Sequence, residues 1–346
     1  MSASRRSRPS GTLPRPLTFL AAAALTTATA TAVSLLPAQA GLHRAAPVPA
    51  PSSPRAVPGS PPAASPSQPG PSGPGPSGPG PSGFVTFVDT AADPGFDLPA
   101  DARRTGVRWY ALGHLSPASD GCAQRWAGRL AFGHDPVANR VGRLRALGGD
   151  AGLVFGGPAG EAAATCTRPD ALTAAYRRAV GAFDAAYVEF ELSDPGDRAT
   201  VLRRARAIGA LQRERPLRAG FTLPLRADGL TARDAEMLRL TREAGADIAT
   251  VNVLARIEPQ AAPEGRLRRL ALALRAARVQ VARAYGLASA DEAWPRLALT
   301  CVPAGPADLS AADARALLAF AARHRLAWLS LRGAEPDPEA ARILRG

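Results

Sequence analysis

From residue 84 onward, short apolar runs alternate with longer stretches in which apolar positions recur three or four residues apart. The short runs cover 84–89, 107–112, 152–155, 187–192, 218–223, 248–254, 297–302 and 326–331, and they predict eight strands. Helical stripes fill most of the gaps. Val137, Val141, Leu144 and Leu147 form one, closed by Gly148-Gly149. Leu172, Ala175, Tyr176, Ala179 and Phe183 form the next, and Val201, Leu202, Ala205, Ile208 and Leu211 another. Thr231 is placed to cap a helix running to Ala244, a long helix is predicted over 267–285, and Ser310 with Asp313 reads as a capping box for 314–323.

Strands separated by helices imply parallel pairing with right-handed crossovers. Eight such units in about 260 residues fit a (β/α)8 TIM barrel, an α/β fold. The rival, a doubly wound open sheet, wants a Gly-rich phosphate loop after its first strand. Here that strand runs into Asp89-Thr90-Ala91-Ala92-Asp93-Pro94. Gly156-Gly157-Pro158-Ala159-Gly160 matches neither dinucleotide nor P-loop spacing and reads as a tight turn.

One predicted strand carries two acids. Period-two alternation over 187–192 places Glu189, Glu191 and then Ser193 on one face, and Val188, Phe190 and Leu192 on the other. Carboxylates are kept out of interiors unless they are paired or used. In a barrel this polar face points at the axis, and the strand's C-terminal end, with Ser193 at the rim, is where barrel sites are built.

Residues 1–83 do not read as a fold. Arg5, Arg6, Arg8 and Arg15 precede an apolar run over 17–36 and the small-residue pattern Ala38-Gln39-Ala40, so 1–40 is expected to be a signal peptide, with an uncleaved membrane anchor as the rival. Residues 41–83 are rich in Pro, Gly and Ser and are expected to be a disordered linker, leaving 84–346 as the barrel. The protein is therefore expected to be secreted or tethered to the cell surface, and monomeric, touching a membrane only through its N-terminal segment.

The formal charge of +13 includes six Arg, unopposed by any acid, in 1–83. All 42 basic residues are Arg, a bias that suits a GC-rich genome, and acids are mixed among them without a basic stripe interleaved with aromatics, which argues against nucleic acid. Cys122 and Cys166 lie in polar, loop-like contexts and are predicted to form a disulfide, with Cys301 a buried thiol in an apolar run. The four His are scattered, His114 and His134 being read as surface or capping residues; neither a metal signature nor a cofactor motif is present.

Several segments, in order, resemble the family-18 glycoside hydrolases, the chitinases, and in particular compact secreted bacterial ones. They are Phe84-Val-Thr-Phe-Val-Asp89, Thr105-Gly-Val-Arg-Trp-Tyr-Ala-Leu-Gly113, the loops around Cys122 and Cys166, Phe155-Gly156-Gly157, Phe221-Thr-Leu-Pro224, Val251-Asn-Val253 and Ala327-Trp-Leu-Ser330. The resemblance implies that an Asp-x-x-Asp-x-Asp-x-Glu motif should close the fourth strand, its Glu acting as acid and the preceding Asp orienting an N-acetyl group that attacks the anomeric carbon. Those four positions read Ala186, Glu189, Glu191 and Ser193. A Ser hydroxyl cannot serve as general acid near neutral pH. Other positions depart as well. Met-x-Met-Asp-Tyr corresponds to Leu254-Ala255-Arg256-Ile257-Glu258, the eighth-strand Trp to Arg332, and the Ser of Ser-x-Gly-Gly to Val154.

The resemblance therefore implies a chitinase-like domain that does not hydrolyse and that binds an N-acetylglucosamine-containing glycan or wall component. Trp109, Tyr110, Trp126 and Phe155 are candidate sugar platforms, with core packing favoured for all but Trp126. Two other readings stay open. One is an active glycosidase whose acid has moved to Glu191, Asp194 or Glu258. The other is a structural surface module without sugar binding, in which Glu189 and Glu191 are neutralised by Arg256 or Arg332.

Overall fold

A computed structural model of the protein describes residues 80–262 and 264–346. The export segment expected at 1–40, and the 41–83 linker up to residue 79, lie outside the described residues. In chain order the elements are β1 (Gly83–Asp89), α1 (Leu98–Thr105), β2 (Trp109–Pro117), β3 (Gln124–Trp126), α2 (Val141–Arg145), β4 (Asp150–Gly156), α3 (Ala162–Thr165), α4 (Pro169–Phe183) and β5 (Tyr187–Glu191). They continue as α5 (Arg198–Glu214), β6 (Arg218–Pro224), α6 (Ala232–Glu243), β7 (Ile248–Arg256), α7 (Arg266–Tyr285), β8 (Leu297–Val302), α8 (Ala311–His324), β9 (Trp328–Leu331) and α9 (Pro338–Arg345).

The sheet order is β1-β9-β8-β7-β6-β5-β4-β2, and β1 pairs with β2 to close it. Every pairing in that ring is parallel, so the eight strands form the (β/α)8 barrel that the alternation predicts. β3 is an addition, an antiparallel hairpin partner of β2 through Leu115 and Trp126.

Two layers of packing hold the barrel. Between strands and helices, Phe190 of β5 stacks on Phe155 at 5.3 Å and meets Tyr176 at 5.3 Å and Phe221 at 6.0 Å. Each such ring, fully buried, contributes about 1.5–3 kcal/mol. Inside the barrel, Val85, Trp109, Ala111, Val154, Ala298 and Trp328 pack together. Tyr187 also points inward. Gly152 and Gly220 on the flanking strands make room for it, since a Cβ would lie 2.7 Å from its ring and 2.3 Å from its hydroxyl respectively.

The helix caps follow the sequence. Thr231 and Asp234 form a capping box at α6, as do Ser310 and Asp313 at α8. Cys122 and Cys166 are bonded, and Cys301 is free and buried. The stripe at 137–147 is less regular than expected: a 3-10 turn over Ala138–Arg140 precedes the short α2. Asp135 explains the break, because its carboxylate accepts from the Val137 and Ala138 amides and holds a turn where an α-helix would start. Among the described residues, no helix is long and apolar enough to cross a membrane.

Candidate functional site

β5 delivers its two acids to the barrel axis, one layer apart. Glu189 is 1 % exposed. Its Oε1 accepts from the Thr222 hydroxyl of β6. Thr222 in turn accepts from Asn252 Nδ2 of β7 at 3.1 Å, and Asn252 Oδ1 accepts from Thr300 of β8 at 2.9 Å. The chain of donors runs one way around the barrel and ends on the carboxyl, fixing which way each hydroxyl points. Glu189 Oε2 is buried with no partner among the described residues. Burial raises the Glu189 pKa, and the Thr222 hydrogen bond and the Arg332 charge offset this only in part.

Glu191 lies at the mouth. Its Oε2 meets His114 Nε2 at 3.0 Å and accepts from Arg332 Nη1. Burial disfavours its charge, but the His114 hydrogen bond and the Arg332 charge outweigh burial and hold the carboxyl down at about 2. A carboxylate can only accept, so His114 Nε2 carries the proton in that contact. His114 Nδ1 stands 3.9 Å from Asp89 Oδ2. The Arg332 guanidinium lies 3.5 Å above the Phe87 ring, and Phe87 packs against His114 at 5.2 Å. Glycine lets these parts approach. A Cβ on Gly157 would sit 2.4 Å from the His114 ring, and one on Gly156 2.4 Å from the Glu191 carbonyl. Both have positive φ.

β5 ends at Glu191. Ser193 follows in a bend and is exposed, as is Asp194. Asp194 bonds the Gly196 amide and pairs with Arg233 at 3.1 Å on the surface. The turn is anchored from below by Arg204, fully buried, which donates to the Pro195 carbonyl at 2.8 Å and contacts Glu161, itself bonded to Tyr176.

The other candidates divide. Arg332 neutralises Glu191, whereas Arg256 reaches neither acid and is exposed. Glu258 pairs with Arg269, away from the axis. Trp126, the favoured platform, is 1 % exposed and packs edge-on against Phe183, so it is core. Its place on the β3 hairpin, beneath the helix shell, buries it. Tyr110 is buried with its hydroxyl on Asp101, and Phe155 is in the aromatic stack. His114 is the opposite correction: it belongs to the mouth cluster, not to the surface. Among the described residues no group of His, Cys, Asp and Glu is placed to hold a metal ion.

No family model matches the chain. The probable bifunctional chitinase/lysozyme of Escherichia coli K12 is 25% identical over 180 residues, which span 49% of this chain and 20% of that protein. The match thus covers about a fifth of that relative's length. Catalytic-site mutants of active domain 2 of the Pyrococcus furiosus thermostable chitinase, solved with chito-oligosaccharides, align with a TM-score of 0.66 at 22% identity, over 77% of this chain and 93% of that one. A fungal endo-beta-N-acetylglucosaminidase of glycosyl hydrolase family 18 aligns with a TM-score of 0.53 at 10% identity, over 77% and 97%. The closed parallel barrel and these neighbours agree: the chain has the chitinase-like fold of glycoside hydrolase family 18.

Proposed function

We propose that this is an exported, non-hydrolytic chitinase-like domain that holds an N-acetylglucosamine-containing glycan or wall component. The observation that carries the loss of hydrolysis is the end of β5. The resemblance sets the proton donor at Ser193, and the carboxyl nearest to it along the inward face, Glu191, is held at about 2 by His114 and Arg332. A group with that value has no proton to give at neutral pH. Glu189, whose value is raised, is sealed in the barrel beneath it. Asp194 and Glu258 are tied to Arg233 and Arg269. No relocated acid stands out among them.

Glycan binding is supported by the fold neighbour solved with chito-oligosaccharides and by the polar groups at the mouth, where Asp89 is 41% exposed. Export is supported by the Cys122–Cys166 disulfide, which suits an oxidising compartment. One observation favours a second reading, a surface module without sugar affinity. All four Trp are buried, and Arg332 covers the Phe87 ring, so the mouth offers no open aromatic platform. Retention of the protein on chitin beads and on an N-acetylglucosamine-containing glycan array separates the two. Saturable retention supports the glycan-binding reading, and none on either support leaves the surface module.

A further inference from the structure

A cavity opens between the ends of β6 and β7 and the first turns of α7. It has a volume of about 510 Å³, within the roughly 300–1,000 Å³ of small-molecule sites. None of Glu191, His114 or Arg332 lines it. Its wall includes residues 254–258, the positions that the resemblance gives to Met-x-Met-Asp-Tyr, and its chemistry differs from a sugar site. Every apolar side chain in the wall is aliphatic, with Leu225, Leu254, Leu267 and Leu270 prominent and no ring against which a pyranose could stack.

The charge at the rim is one-sided. Four Arg and one Glu line the cavity. Glu258 is already taken by Arg269, and Arg266 by Asp313. Arg226 and Arg256 are exposed, and neither guanidinium has a hydrogen-bond or ion-pair partner among the described residues. α7 adds to this field. Its N-cap is Gly265, its first turn holds no acid, and Arg266, Arg268 and Arg269 stand at the positive end of its dipole. Cations there are unfavourable for the helix unless an anion is near, and Asp313 and Glu258 already serve Arg266 and Arg269.

We propose that this cavity binds a soluble single-chain amphiphilic anion, its aliphatic body against the leucines and its carboxylate or phosphate head on Arg226 and Arg256. Burial of the chain supplies the affinity, and the two unpaired guanidinia select the charge. The site is independent of the glycan reading, since it shares no residue with the Glu191 cluster.

Octanoate titrated calorimetrically into the full chain, with octanol as the uncharged control, tests this. Octanoate is expected to saturate at one per protein and octanol to bind at least ten-fold more weakly. Arg226→Ala/Arg256→Ala should weaken octanoate at least ten-fold without moving octanol or the thermal midpoint. Leu254→Trp, which fills the cavity, should abolish both. The proposal is overturned by absent saturation, by equal affinity for octanol, or by octanoate binding indifferent to the Arg pair. Sedimentation with phosphatidylglycerol vesicles without saturable octanoate uptake would also overturn it, assigning the surface to a bilayer instead.

Discussion

At the scale of single residues, two acids two positions apart on one strand are pushed in opposite directions. Glu191 is lowered to about 2, against 4.5 for an ordinary Glu. Its contribution to stability is present above the unfolded value and is lost as pH falls from about 4.5 toward 2. Glu191→Gln leaves the half-buried Arg332 without its charge partner and should cost about 1.5–3 kcal/mol at pH 7, a gap that closes as both proteins are acidified. Urea unfolding at a series of pH values measures it. Glu189 has the opposite sign. A carboxyl whose folded value is raised stabilises below its unfolded pKa and loses that as pH rises. Glu189→Gln should therefore be close to neutral at pH 4 and raise the thermal midpoint at pH 8. A midpoint lowered at both pH values would show that the Thr222–Asn252–Thr300 chain needs the carboxyl itself.

At the scale of elements, periodicity reveals strands well and side-chain partners poorly. β8 runs over the predicted residues 297–302. The last strand starts two residues later than the pattern suggests. Arg325 takes a left-handed conformation, and the Leu326 amide goes back to Ala321 to close α8, so Leu326 serves the helix end. β2 runs on to Pro117, where Gly113, His114 and Ser116 break the apolar run, because pairing with β3 sustains it. That Glu189 and Glu191 share a face was legible from period two, and that the face points inward followed from the barrel reading. Of their partners, Arg332 was expected and does pair with Glu191, whereas His114 and Thr222 were not foreseen, since they come from other strands and only closure of the barrel brings them together. Phe155-Gly156-Gly157 is the local signal that could have pointed to His114. Gly157→Ala should push the His114 ring off Glu191 and destabilise the protein by about 1–3 kcal/mol. A parallel upward shift of the Glu191 carboxyl titration, followed by NMR, distinguishes this from a general loosening.

At the scale of the whole molecule, the proposed reading is of a helix-covered barrel of the chitinase-like fold whose mouth no longer supplies a proton donor. The disulfide joins the loop after β2 to the end of α3 across 44 residues, and removing it as Cys122→Ser/Cys166→Ser should cost about 2–4 kcal/mol, read as a lowered urea midpoint. At the mouth a carboxylate is held between an imidazole and a guanidinium, and Ser193 stands at the position that the resemblance gives to the proton donor. The most direct test is release of chromophore from a chromogenic chitooligosaccharide by the purified protein beside its Glu191→Gln variant. No turnover by either is the predicted result. Turnover by the unaltered protein that Glu191→Gln abolishes would contradict it and place the acid at Glu191.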